Sequence, residues 1–219
     1  MDANQAQDSA KTSAGLPEEA SGLDPSASLE HPARVFLFSG HMIDRPDRPE
    51  PRFPADKAPL AAARIGEALD ALGATPGDIA FAQAAAGGDI LFGEACIARG
   101  LRLQILLPLP EAEFINASIL PSADGEAWRQ RYFALCDKLS RPIRVLPSSY
   151  GSDGPTTNPF ELCNRWLLAS ALAQGAERLA FICLWNGDAG DAAGGTAHMV
   201  KEVKQHAGQV IWLDTRQIW

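Results

Sequence analysis

Short apolar runs alternate with longer amphipathic stretches along most of this chain. The first run, Val35-Phe36-Leu37-Phe38, is unbroken and stops at Ser39-Gly40, which is typical of a strand buried on both faces of a sheet. The stretch from Pro59 to Leu72 places its large apolar residues at helical spacing, and Gly73 follows it as a typical residue beyond a helix C-terminus. The pattern therefore predicts a buried strand followed by a helix.

The same alternation continues to the end of the chain. Further apolar runs predict strands at residues 79–84, 101–107, 143–146, 179–185 and 210–213. Amphipathic stretches predict helices at 89–99, 124–139 and 160–173, and a last helix opened by Gly194-Gly195-Thr196. Strands that alternate with helices of this length favour a mainly parallel sheet flanked by helices. We predict an α/β fold, a Rossmann-like three-layer sandwich.

The beginning of the chain has a different composition. Residues 1–32 are rich in Ala, Ser, Asp, Gln and Pro and have almost no large apolar side chains. Such a segment buries too little surface to offset the entropy lost on ordering. We predict a disordered N-terminal tail over residues 1–32 and one Rossmann-like nucleotide-ligand-binding domain over 33–219.

The charge of the chain bears on its partners. The formal net charge is −8, and neither nucleic acid nor an anionic membrane surface attracts an acidic protein without clustered Lys and Arg. The N-terminus has no apolar signal-peptide core, and no apolar run approaches the ~20 residues of a membrane span. We expect a cytoplasmic protein whose partners include neither nucleic acid nor membrane.

Several familiar chemical motifs are missing. The sequence has no phosphate loop, no Gly-x-Gly-x-x-Gly fingerprint after the first strand and no Gly-x-Ser-x-Gly elbow. His and carboxylate residues are not spaced as metal ligands, so we predict no cofactor and no metal. The cysteines lie far apart in apolar stretches, which indicates reduced core thiols. They are Cys96, Cys136, Cys163 and Cys183.

Candidate binding residues follow from the predicted topology. In an open α/β sheet, ligands bind beyond the carboxyl ends of the strands, where the strand order reverses. The segments that leave those ends therefore supply the candidates. The predicted ligand-binding residues are Ser39, Gly40, His41, Gly87, Gly88, Asp89, Glu94, Trp185, Gly187, Gly194, Gly195 and Thr196.

The two glycine pairs have two readings. A glycine pair between a strand and a helix lets a phosphate approach the free N–H groups of the helix N-terminus, but it equally makes a tight turn. Two such loops at equivalent ends of the sheet favour a ligand. Asp89 serves either as an N-cap or as a ribose acceptor, and Glu94 either lines the site or lies on a solvated helix face. No catalytic residue is assigned.

Aromatic and basic residues near these loops also leave alternatives open. His41 either contacts the ligand or packs in its loop, and Trp185 is able to stack on a base. The loop from His41 to Pro54 is either a flap whose arginines close over a phosphate or a surface loop of self-compensating charges. The other tryptophans of interest, Trp128, Trp166 and Trp212, are expected to pack between sheet and helices.

Taken together, these motifs resemble those of the SLOG superfamily, which includes DNA-processing protein A and the "lonely guy" phosphoribohydrolases. The run Ser39-Gly40-His41 is similar to the opening motif of that group, and residues 86–94 to its glycine-rich turn followed by an acidic helix. The segment 106–110, Asn164 and the run Gly194-Gly195-Thr196-Ala197 resemble further motifs. The likeness spans residues 34–215 through short motifs, and it implies a nucleotide-derived ligand.

One position departs from the resemblance. The phosphoribohydrolases carry a catalytic Glu three residues after the Thr of the last loop, where this chain has Met199. A thioether neither transfers a proton nor stabilises a ribosyl cation. The primary hypothesis is therefore a domain that binds a nucleotide-derived molecule and reports it to a partner, either a second copy in a homodimer or an effector domain. The alternatives are a nucleotide N-glycosidase that uses Glu94 or Asp89, and a degenerate fold kept for protein–protein contact.

Overall fold

A computed structural model describes residues 32–150, 158–188, 196–206 and 209–219 of the chain. Nearly all of the predicted disordered tail lies outside these residues, as do Gly194 and Gly195 of the predicted ligand set. The described residues beyond the tail belong to one compact unit that begins at His31.

Strands and helices alternate as the apolar pattern predicts. The strands are β1 Val35–Gly40, β2 Ile79–Ala82, β3 Arg102–Leu107, β4 Arg144–Val145, β5 Leu179–Trp185 and β6 Gln209–Asp214. The helices are α1 Ala58–Ala71, α2 Gly88–Ala98, α3 Glu111–Ser118, α4 Gly125–Cys136, α5 Pro159–Leu172, α6 Thr196–Gln205 and α7 Thr215–Ile218. Short 3₁₀ turns precede α1 and β5.

All strand pairs in the sheet are parallel, and the strand order is β4-β3-β2-β1-β5-β6. The chain moves outward from β1 to β4 on one side and then returns to place β5 on the other side of β1. The strand order therefore reverses between β1 and β5, where Leu184 of β5 pairs with Gly40 at the end of β1. This reversal is the position at which open α/β sheets bind ligands.

Alternate residues of β1 face two separate cores. Phe36 and Phe38 of β1 contact the cluster that includes α1, α2, α3 and α4. Val35 and Leu37 contact the cluster that includes α5 and α6. Helices thus cover both faces of the sheet, and the predicted α/β three-layer sandwich is confirmed.

Two helices and one tryptophan differ from the sequence prediction. The pattern missed α3 and α7, which are short and bury few side chains. Trp128 and Trp166 are buried as expected, but Trp212 is 47% exposed, so its predicted burial is wrong. Trp212 lies on β6, an edge strand of the sheet, where the sheet covers less of the side chain.

The cysteines are free thiols, as the sequence analysis predicts. Cys96, Cys163 and Cys183 are buried free thiols, Cys136 is half-buried, and burial raises the pKa of each of them. The described residues contain no group of His, Cys, Asp and Glu suited to a metal ion. Every helix in this part of the chain is too short or too polar to cross a membrane.

Candidate functional site

Two hydroxyl groups meet at the carboxyl end of β1. Ser39 follows Val35 and Leu37 along the strand and so faces the α5/α6 side of the sheet. Its Oγ lies 3.1 Å from Oγ1 of Thr196, the first residue of α6. This hydrogen bond links the end of β1 to the N-terminus of α6 and joins two residues of the predicted ligand set.

His41 continues the same edge toward β5. Its backbone N–H donates to the carbonyl of Leu184 over 2.9 Å, which extends the pairing of β1 with β5 beyond the strands. The backbone N–H of Asn186 donates to Nε2 of the imidazole over 3.1 Å. Burial lowers the pKa of His41 to about 4, so the ring is neutral near pH 7. We refer to Ser39, His41, Asn186 and Thr196 as the strand-end site.

Asn186 is itself held by a local turn. Its Oδ1 accepts from the backbone N–H of Asp188 over 3.2 Å, and its Nδ2 donates to the Asp188 carboxylate over 2.7 Å. Such side-chain bonds two residues along are typical of Asn in turns. The turn fixes the amide plane of Asn186 beside the ring of His41.

A second polar pair involves a residue just beyond β2. Leu37 pairs with Phe81 across β1 and β2, and Ser39 and Gln83 each follow two residues after this pair. Nε2 of Gln83 donates to Oδ1 of Asn164 on α5 over 2.8 Å. Asn164 is buried, and it is one of the residues that carried the family resemblance.

The glycines after β2 contact another part of the backbone. A Cβ on Gly87 would lie 2.7 Å from the nitrogen of Ile43, and Gly87 has φ +106. The N–H of Gly88 donates to the carbonyl of His41 over 3.1 Å, and the N–H of Ile43 donates to the carbonyl of Ala86. The segment 41–43 therefore lies across the glycine turn and takes one N–H of the α2 N-terminus. Close backbone packing accounts for these glycines.

Asp89 stabilises the same turn from inside. The N-cap of α2 is Gly87, so the expectation that Asp89 is the N-cap is wrong. Its carboxylate instead accepts from the backbone N–H of Ala85 over 3.2 Å and is almost fully buried. Burial raises the pKa of Asp89 to about 7, against the smaller opposing effect of the backbone hydrogen bonds. The adjacent Ala84 has φ +144, a conformation that costs a residue with a Cβ about 1–3 kcal/mol.

Glu94 takes part in a contact between helices. Both oxygens of its carboxylate accept from Arg131 of α4, over 2.9 and 2.5 Å. The Arg131 guanidinium also lies 4.2 Å from the centre of the Trp128 ring. The contacts of Glu94 are thus with α4 and not with the residues of the strand-end site.

Trp185 and Gly187 pack against the end of β6. The Trp185 indole donates to the carbonyl of Asp188 over 2.7 Å, and its ring centre lies 5.8 Å from that of Trp212. Gly187 has φ +86, and a Cβ there would lie 2.9 Å from the guanidinium of Arg216. The side chains of β6 and α7 therefore hold the turn after β5, and the Trp185 ring lies at 39° to the ring of Trp212.

The loop between β1 and α1 is anchored to the body of the domain. Ile43 and Phe53 are buried, and the Phe53 ring stacks on Trp219 at 5.1 Å. The Asp44 carboxylate accepts from the backbone N–H groups of Arg52 and Phe53 over 2.8 and 2.7 Å. The loop lines a cavity of about 440 Å³ that contains both acidic and basic side chains. These contacts favour the surface loop of self-compensating charges over the flap.

Met199, at the position of the expected Glu, belongs to the core. Its side chain is 1% exposed and packs in the cluster between the sheet, α5 and α6. A residue at this position of α6 faces the sheet, three residues beyond Thr196 and its bond to Ser39.

Sequence reasoning missed three polar residues near the predicted site. Gln83 was recognisable because it is polar and lies two residues after Phe81, on the same, buried side of the strand pattern. Asn186 and Asp188 flank a glycine directly after β5, a spacing typical of a side-chain-stabilised turn.

Comparisons with known proteins assign no family to this chain. No protein-family model matches it, and no curated protein is found to be similar to it.

Proposed function

We propose that this domain binds a nucleotide or nucleotide-derived small molecule at the strand-end site and acts as a sensing domain. The observation that carries the proposal is the convergence of polar side chains from β1, the β5 turn and α6 at the reversal of strand order. Open α/β sheets bind nucleotides at such reversals. Membership of the SLOG superfamily rests on the short motifs and is part of this proposal.

Hydrogen bonding is the chemistry that these residues offer. Ser39 and Thr196 carry hydroxyl groups, and Asn186 carries an amide. The neutral ring of His41 adds a donor without adding a charge. Hydroxyls and amides are suited to the ribose and base of a nucleotide, and the N-terminus of α6 favours a negatively charged group nearby.

Binding is better supported than hydrolysis. Cleavage of an N-glycosidic bond builds positive charge on the ribose, which a carboxylate usually stabilises. Glu94 pairs with Arg131, the Asp89 carboxylate is buried against Ala85, and Met199 lies in the core. We therefore propose that the domain releases its ligand unchanged.

Calorimetric titration of the full chain with AMP, ADP-ribose and adenosine tests the proposal. We expect the wild type to bind at least one of them and Ser39→Ala to weaken that binding by about 3- to 10-fold, the value of one hydrogen bond. Ser140→Ala, an exposed serine beyond α4, is the matched control and should bind as the wild type does. Failure of the wild type to bind any of the three, or equal affinities for all proteins, would overturn the proposal.

The same samples test the hydrolase alternative. Free adenine, measured by chromatography after hours of incubation with AMP, should stay at the level of the protein-free control. Release of adenine at a rate near the ~10 s⁻¹ of a typical enzyme would instead favour the N-glycosidase.

A further inference from the structure

The ring of His41 is held in one protonation state by its neighbours. A backbone N–H is always a donor and its proton lies in the plane of the peptide, so the bond from Asn186 requires a lone pair on Nε2. Oδ1 of Asn186 also lies 3.1 Å from Nε2. That oxygen already accepts from the N–H of Asp188, so it does not need the imidazole proton. In a neutral ring the proton then resides on Nδ1.

Protonation of the second nitrogen is opposed by the same contacts. A proton on Nε2 would leave the N–H of Asn186 without its acceptor, and a part-buried amide without a partner is destabilising. The charged groups around the ring have both signs. Asp44, Arg48 and Arg52 lie on its own loop, and Asp188 lies behind Asn186 on the β5 turn.

These contacts leave one group of His41 for a ligand. Within the described ranges, Nδ1 makes no hydrogen bond to the protein, and the residue is only part-buried. An N–H donor that carries no charge is suited to a neutral acceptor more than to a phosphate, because phosphates form their strong hydrogen bonds with charged donors.

We infer that His41 is a specificity-determining residue that donates from Nδ1 to an uncharged acceptor of the nucleoside part of the ligand, a sugar oxygen or a base nitrogen, and not to its phosphate. This inference rests on the proposed function for the identity of the ligand. The state of the ring is a property of the protein alone and is tested without one.

Nitrogen-15 NMR of the ligand-free chain tests the state of the ring. From about pH 5 to about pH 8, the window in which an ordinary histidine titrates, we expect a protonated Nδ1 and an unprotonated Nε2 for His41. His206, exposed near the end of α6, supplies a second set of imidazole resonances in the same sample for comparison. A proton on Nε2, or an imidazolium at pH 6, would overturn the inference whatever the protein binds.

Two substitutions test the recognition. His41→Gln keeps an acceptor for Asn186 near the position of Nε2 but removes the Nδ1 donor, whereas His41→Asn keeps a donor near Nδ1. We expect His41→Gln to weaken the binding of adenosine and of AMP by the same factor, roughly 3- to 10-fold. We expect His41→Asn to recover part of that lost affinity. His206→Gln should bind as the wild type does.

The ligands divide the outcomes. If His41→Gln weakens the binding of ribose 5-phosphate by the same factor as that of AMP, the acceptor is on the sugar. If the binding of ribose 5-phosphate is unchanged, the acceptor is on the base. Weaker binding of AMP with unchanged binding of adenosine would show a contact with the phosphate. That result would overturn this inference and leave the proposed function standing. A wild type that binds none of these probes would overturn the proposed function and the recognition role with it.

Discussion

A Cβ atom on Gly87 would lie 2.7 Å from the backbone nitrogen of Ile43. The loop after β1 therefore packs directly on the turn after β2. Because the atom that a Cβ would meet belongs to the backbone, no flexible side chain is able to move aside. We predict that Gly87→Ala destabilises the fold by about 2–4 kcal/mol, because positive φ and a backbone clash add. Urea unfolding followed by circular dichroism measures the loss.

Gly77→Ala is the matched control for the clash. Gly77 also has a positive φ, +99, but a Cβ there would meet nothing within 4 Å. Its substitution should cost only the backbone strain, about 1 kcal/mol. Equal losses for the two variants would show that the segment 41–43 gives way, and that Gly87 is not required for this packing.

Asp89 makes stability depend on pH. Burial raises its pKa from 3.8 to about 7, so the folded state holds the proton more tightly than the unfolded state does. The stability that Asp89 contributes is fully present below the unfolded pKa of 3.8 and is lost as the pH rises through about 7. We predict that Asp89→Asn, which keeps the shape of the protonated acid, gains stability relative to the wild type between about pH 4 and pH 7. The free energy of unfolding, measured across that window, gives the difference.

His41 affects the same window with the opposite sign. Its pKa is lowered from 6.5 to about 4, so its contribution is present above the unfolded value and is lost as pH falls through about 4. We predict that His41→Gln flattens this acid-side loss when the free energy of unfolding is measured over the same pH range. Profiles parallel to the wild type in both single variants would contradict both pKa shifts.

The ion pair of Glu94 with Arg131 is expected to matter little for stability and for binding. Its side chains are 38% and 37% exposed, and such pairs contribute about 0–1 kcal/mol. Glu94→Gln should therefore unfold within about 1 kcal/mol of the wild type. It should also bind AMP with unchanged affinity in calorimetry, because its contacts are with α4. A loss of binding beyond that caused by Arg131→Gln would show that the carboxylate reaches the ligand.

The fold was predictable from the sequence because each strand carries its own signal. The run at β5 is apolar from end to end, and its predicted bounds 179–185 are those of the structure. Helix α3 was missed because Pro108 and Pro110 indicate a turn, yet Pro110 directly precedes the first helical turn, where proline is tolerated. Only Phe114 and Ile115 among its apolar residues are buried, too few for a helical period.

The arrangement of the candidate site depends on contacts that a local pattern does not contain. The glycine pair after β2 is typical in sequence of a helix start that a phosphate is able to approach, but the segment 41–43 that covers it is more than 40 residues away in the chain. The sequence around Glu94 is typical of a solvated helix face. It contains no sign of Arg131, the partner of Glu94, because that residue lies on another helix. That candidate residues would follow the carboxyl ends of the strands was predictable, whereas the partners of each side chain were not.

Met199 on α6 lies in the core and not in the strand-end site. The family resemblance implies a catalytic carboxylate at this position, whereas the side chain here is 1% exposed among apolar neighbours. We predict that Met199→Glu does not create hydrolase activity and instead destabilises the fold by about 3–5 kcal/mol, because the core would hold a carboxylate without a partner. Met199→Leu keeps the volume and should cost less than about 1.5 kcal/mol. Thermal unfolding of both variants, with chromatography for adenine released from AMP, makes the comparison. A stable Met199→Glu protein that releases adenine would show that this face of α6 opens to the ligand, and would favour an N-glycosidase ancestry of the site over a binding role alone.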